Sequence, residues 1–247
     1  MTLDDNDLVI VLGFVLLFIC ILAIISLINR NDANDYPNEC MYADASEMNN
    51  GDIVLVSYTM PAGAFITSFS RSIWSHTGTI WVDPKTNIRY VLEGAIYRYK
   101  KYRHFFKIPL ETWLFFNRKF LIGYKKYHGP QIDSEYLWSK FEWLNKSCKL
   151  EGFNIFWSRF LVNKEYYEYT KHKNYSCLEG TVILGQSAGI YKKDKIYCSY
   201  FPGDIANNKI NLVDGVSYDL PIQIAIHPTN SLLFSEDLVY HIEMWKN

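Results

Sequence analysis

Cys177 is the residue in this sequence best suited to covalent chemistry. It follows Ser176 and opens the run CLEGTVILGQSA. That run reads as a helix: Ser176 is a candidate N-cap, and Glu179 at the third helical position completes a capping-box pattern. Leu178, Val182 and Gly185 fall along one side, and Gly189 offers a C-terminal stop. A thiol in a first helical turn meets unpaired N–H groups and the positive end of the helix dipole, which favour its anion. The same N–H groups can hold an oxyanion.

A cysteine nucleophile needs a base, and the base needs an orienting partner. His76 lies in WSHTGTIWV, where small neighbours leave room for an imidazole. Glu93 lies in IRYVLEGA, and between the two runs stands DPKTN. Pro84 presets a turn, and Asp83 and Asn87 are turn residues, so the pair of runs reads as a β-hairpin. A turn centred between Pro84 and Lys85 sets His76 opposite Glu93; a half-residue shift sets it opposite Gly94. Glu93 can then accept from one ring nitrogen while the other faces the thiol. His172 is the rival base, close before Cys177, but its setting YTKHKNYS reads as an exposed loop and ranks it second. His104, His128, His227 and His241 lack partner patterns and read as structural; Glu179 reads as a cap.

Other elements must carry these three residues. GDIVLVSY begins with a turn pair and continues as a strand. Residues 60–72 read as a loop and a short helix, 110–117 as a helix, and 119–127 as a strand. Leu137, Phe141 and Leu144 give residues 133–149 the spacing of an amphipathic helix. Short apolar stretches within 208–226 read as late strands, and the tail 231–247 as a helix.

The N-terminus is of another kind. Residues 8–28, LVIVLGFVLLFICILAIISLI, are 21 residues without a charged side chain. At about 1.5 Å per residue they span roughly 30 Å, the thickness of a bilayer core. The start, MTLDDND, is acidic, the run is long, and no small-residue cleavage site follows, so a retained anchor fits better than a signal peptide. Arg30 is the basic residue flanking the run, which points to a domain facing the cytoplasm. The expected localisation is therefore single-pass, and the bilayer is an expected partner.

Composition narrows the function classes. The chain has 247 residues with 25 Lys+Arg against 26 Asp+Glu; without residues 1–30 the balance is +1. Aromatics reach 17%, too apolar for a disordered chain. A near-neutral domain argues against nucleic acid as a partner. The five cysteines (Cys20, Cys40, Cys148, Cys177, Cys198) form no C-x-x-C pair, so neither a structural zinc site nor a disulfide framework is expected. Gly180 to Ser187 lacks the lysine of a phosphate loop. No cofactor is expected. The basic, aromatic stretch RYKKYRH reads as a solvated face, or as a contact for anionic headgroups.

Taken in order, GDIVLV, WSHTGTIWV, YVLEGA, YSCLEGTVILGQSAGIY and YFPGDIAN resemble the circularly permuted papain-like hydrolases. That group includes NlpC-type, YiiX-like amidases, more distant lecithin:retinol acyltransferase-like proteins, and members from poxviruses and other large DNA viruses. Ordinary papain-like enzymes place the cysteine first; here the histidine strand comes first. The resemblance covers about residues 48–225. It matches Gly51-Asp52-Ile53, Ser75-His76-Thr77-Gly78, Glu93 and Cys177-Leu178-Glu179, with leucine where the family has serine. It implies an α+β, permuted papain-like fold, an antiparallel sheet packed against a cysteine-bearing helix and preceded by one transmembrane helix. The implied catalytic residues are Cys177, His76 and Glu93, acting on an amide, ester or thioester through an acyl-enzyme. The implied substrate is a peptide, an acyl lipid or a membrane protein. The expected organisation is an anchor at 1–30, a linker at 31–47, the hydrolase domain at 48–230 and a tail at 231–247. The alternative is a catalytically silent viral membrane protein serving assembly or host interaction.

Overall fold

The computed structural model describes residues 40–42, 44–59, 72–96, 103–147, 149–150, 174–193 and 200–225, with the single positions Gly13, Leu17, Phe18, Cys20, Ile24, Gly63, Ile66, Thr67 and Ser70. Most of the expected anchor, most of 60–71 and the expected C-terminal helix lie outside the described residues. Among the described residues no helix is long and apolar enough to cross a membrane.

The chain is α+β, built on a seven-stranded sheet. Its strands are β1 (Cys40–Tyr42), β2 (Ile53–Ser57), β3 (His76–Val82), β4 (Arg89–Ile96), β5 (Arg103–Pro109), β6 (Leu121–Lys125) and β11 (Ile222–Ala225). Their order across the sheet is β1-β11-β6-β2-β3-β4-β5. Every pairing is antiparallel except β1 with β11. Residues 40–47, read from sequence as linker, hold β1 and the 3-10 turn Ala45–Glu47. Two short pairs complete the strands: β7 (Tyr127–His128) with β10 (Ser217–Tyr218), and β8 (Lys149–Leu150) with β9 (Asn174–Tyr175).

Strand alternation gives the sheet two apolar faces. Ile53, Leu55, Trp81, Tyr90, Leu92 and Phe105 point to one. Helices α2 (Ser134–Ser147) and α3 (Cys177–Ser187) cover it with Leu137, Phe141, Leu144, Leu178, Val182 and Leu184. Val54, Val56, Ile80, Val91 and Ile122 point to the other, which α1 (Leu110–Asn117) covers with Leu110, Trp113 and Leu114. The spacing Leu137, Phe141, Leu144 is thus the buried stripe of α2, as its helical period requires. Trp81 and Phe141 stack on either side of Trp138.

The expected hairpin forms, with a different register. Thr79 pairs with Leu92 and Val82 with Arg89. Continuing that ladder puts Gly78 opposite Glu93 and His76 opposite Ala95, neither of the two partners expected for His76. The cause is the turn. Asp83 N–H donates to Ile88 O at 2.9 Å, Asn87 N–H donates to Asp83 O at 2.8 Å, and Asn87 takes a left-handed φ of 57°. Asparagine tolerates that conformation. The turn therefore centres between Lys85 and Thr86, one residue later than Pro84 alone suggests.

Candidate active site

The Cys177 end of α3 is built as its sequence requires. Ser176 Oγ accepts from Glu179 N–H at 3.1 Å, and Glu179 Oε2 accepts from Ser176 N–H at 2.5 Å, a complete capping box. The cap uses those two donors and leaves the N–H groups of Cys177 and Leu178 at the helix mouth. Burial pushes the Glu179 carboxyl up to about 7, against its hydrogen bonds from Ser176. Glu179 is a cap, not a proton carrier for substrate. Gly180 lets the helix approach the sheet: a Cβ there would stand 2.1 Å from Phe105 Cε1.

His76 opens β3, where it pairs with Val56 of β2. Ser75, just before it, accepts from Tyr58 N–H at 2.8 Å and donates to Val56 O at 3.2 Å. These bonds fix the chain where it enters the strand. His76 and Glu93 lie on the same face because the register shift is an even number of residues. They meet diagonally. Gly78, opposite Glu93, has no side chain to stand between them; a Cβ there would come within 2.6 Å of Val91 Cγ1.

His76 Nε2 donates to Glu93 Oε2 at 2.6 Å, and both side chains are buried. With Nε2 engaged, Nδ1 is the nitrogen left for Cys177. Burial alone would lower the pKa of His76. The electrostatic pull of Cys177 and Glu93, together with the ring's hydrogen bonds to both, outweighs it and raises the ring to about 10. Cys177 is half-buried and free of any disulfide. The three residues singled out from sequence are thus brought together, from β3, β4 and α3. His172 lies outside the described residues.

Three further residues surround the array, and sequence reading did not find them. Trp113 Nε1 donates to Glu93 Oε2 at 2.8 Å. Asn117 Nδ2 donates to Trp113 O at 2.9 Å, and Tyr58 OH donates to Asn117 Oδ1 at 2.9 Å. The Tyr58 ring rests against His76 at a centroid distance of 5.5 Å. Burial, reinforced by the charges of Glu93 and Cys177, pushes the Tyr58 hydroxyl far up. It stays a neutral donor. No local pattern announces Trp113 or Asn117; only the i,i+4 spacing between them is visible in the sequence.

Asp52 of the G-D-I turn is structural. Its carboxylate accepts from Asn49 N–H at 2.7 Å, Tyr124 OH at 2.7 Å and Tyr127 N–H at 2.8 Å, tying β2 to β6. Gly51 beside it has a φ of 88°, a conformation glycine adopts freely.

No protein-family profile matches the chain, and no curated protein matches it. Among solved structures the chain is similar to the crystal structure of the metalloprotein YiiX from Escherichia coli O157:H7. The two are 12% identical with a TM-score of 0.41, over 69% of this chain and 96% of that one. Among the described residues here, no group of three or more His, Cys, Asp and Glu side chains gathers as metal ligands.

Proposed function

We propose that this chain is a membrane-anchored, cysteine-dependent hydrolase or acyltransferase of permuted papain-like fold. The observation that carries the reading is the Cys177–His76–Glu93 array: a half-exposed thiol, an imidazole electrostatically coupled to it, and a buried carboxylate bonded to the imidazole. The order of elements, histidine strand before cysteine helix, agrees with the permuted arrangement that the motifs suggested.

The chemistry follows from the positions. The Cys177 thiolate attacks the carbonyl carbon of an amide, ester or thioester, and the carbonyl electrons move to oxygen. The N–H groups of Cys177 and Leu178 are the donors positioned to stabilise that oxyanion. The carbonyl re-forms, the leaving group departs with the proton from His76, and a thioester remains on Cys177. Water, or an acceptor hydroxyl or amine, then attacks the thioester while His76 removes its proton. Cys177 is regenerated. Glu93 keeps the imidazole in one orientation and supports its charge. Residues 8–28 would hold this site beside a bilayer, so membrane proteins and acyl lipids join peptides as candidate substrates.

A thiol-reactive acyl probe tests the reading. With Cys20, Cys40, Cys148 and Cys198 replaced by serine, the full chain should label, and Cys177→Ala should abolish labelling. Equal labelling of the two would refute the nucleophile.

A further inference from the structure

We propose that Trp113, held in place by Asn117 and Tyr58, is a positioning residue for His76. The proposal rests on the Cys177–His76–Glu93 reading and adds an element to it: α1, which contributes no reacting group. Glu93 Oε2 accepts from two donors, His76 Nε2 at 2.6 Å and Trp113 Nε1 at 2.8 Å. The oxygen that orients the imidazole is therefore itself held from α1, on the same face of the sheet. The hold continues. Asn117 Nδ2 bonds the carbonyl of Trp113, Asn117 Oδ1 takes the hydroxyl of Tyr58, and the Tyr58 ring returns to His76. Four residues from β4, α1 and the chain just after β2 join the imidazole of β3 in a closed ring. Asn117 is buried and uses both ends of its amide within this ring. Packing alone does not require that: a leucine would fill the same space without the two directed bonds.

The ring has a physical task. Burial is the strongest single influence on His76 and acts against its charge; Cys177 and Glu93 are the groups that counter it. Their support depends on alignment, because a hydrogen bond weakens steeply as its angle falls. A carboxylate free to rotate would orient the base less well. Trp113 removes that freedom.

Trp113→Phe in the full chain tests this, since it keeps the bulk and deletes the N–H. Two readouts apply: the pH titration of the His76 ring by NMR, and the rate of acyl-probe labelling at neutral pH. If Trp113 positions Glu93, the ring titrates at lower pH than in wild type, because burial gains on a misaligned partner. Labelling slows by about 10- to 100-fold, the cost of a small misplacement. If Trp113 merely satisfies its own N–H, Glu93 Oε2 loses one donor and becomes more basic, and the ring titrates unchanged or higher; either result overturns the proposal. Asn117→Ala is the second variant should Trp113→Phe not fold. It leaves the Trp113–Glu93 bond in place and should lower the titration in the same direction by less; an unchanged titration counts against the ring. Labelling that persists in Cys177→Ala removes the acyl-transfer reading. Labelling that needs Cys177 but ignores Trp113 removes only the positioning role.

Discussion

Burial works against a charge on His76, while Cys177 and Glu93 work for one, and the balance sets the protonation of the ring. The folded ring lies above its ordinary 6.5, at about 10. Its contribution to stability is therefore whole below 6.5 and is lost as pH rises through about 10. Glu93→Gln keeps the shape and removes one of the two supporting charges. We expect the His76 titration to fall in that variant; a ring that still titrates as in wild type would mean Glu93 does not govern it. Glu179 has its folded value raised to about 7 by burial, so its contribution is present below 4.5 and is lost as pH rises through about 7. Glu179→Gln retains the capping geometry without the charge. Its melting temperature should gain on wild type between about pH 5 and 8, read from paired thermal melts. Parallel curves would show that this carboxyl does not titrate there. At this scale part was legible. The capping box at Cys177 is written in the sequence, and His76 and Glu93 share a face through strand parity, which survives a register error of two residues; their reading as a set came from the family resemblance. Trp113, Asn117 and Tyr58 were not legible, because their partnership exists only once α1 lies on the sheet.

The elements show where local pattern suffices. Helix α1 begins and ends where the sequence predicts, at Leu110 and Asn117, and α3 opens at Cys177 under its capping box. The amphipathic stripe predicted α2 to within two residues at either end. Several elements were missed: β1 and the 3-10 turn inside the expected linker, the short β8 and β9, and two that matter more for the core. Strand β5 (Arg103–Pro109) begins in a basic stretch that reads as a surface face, yet it pairs along seven residues of β4. A short helix, α4 (Pro202–Ala206), sits inside the YFPGDIAN motif and is stabilised from a distance. Lys125 Nζ, at the end of β6, donates to Ile205 O at 2.6 Å, Ala206 O at 2.8 Å and Asn208 Oδ1 at 2.6 Å. A lysine on a strand gives no sign that it will close a helix it meets only after folding. Burial lowers its pKa to about 7. Lys125→Met should destabilise the fold by about 2 kcal/mol, measured by denaturant midpoint, because three acceptors lose their donor. No loss would mean that water takes the place of the ammonium. Gly180→Ala tests the helix-to-sheet approach. Phe105 must move to admit the methyl, and we expect a loss of about 1–3 kcal/mol together with slower acyl-probe labelling.

For the whole molecule, a sheet with helices on both faces agrees with the α+β class read from the sequence, and the site draws on both layers. Cys177 comes from the α3 side, Trp113 from the α1 side, and His76 joins them from the strand between. The membrane reading belongs to this scale. Removing residues 1–30 should release the domain from the membrane fraction under alkaline carbonate extraction, while the full chain stays in the pellet. A full chain that is extracted equally well would argue against an anchor. The strand order carries a mechanical consequence for such a tether. The apolar run 8–28 precedes β1 in sequence, and β1 joins the sheet by a three-residue parallel ladder to β11, Cys40↔Gln223 to Tyr42↔Ala225. That ladder is at one rim, with β11, β6 and β2 between it and β3. A pull on the N-terminal segment would load the β1 rim first and peel it rung by rung. The strands bearing His76 and Glu93 would bear force only after that rim had yielded, so under the proposed tether the rim would act as a fuse between a moving membrane and those two residues.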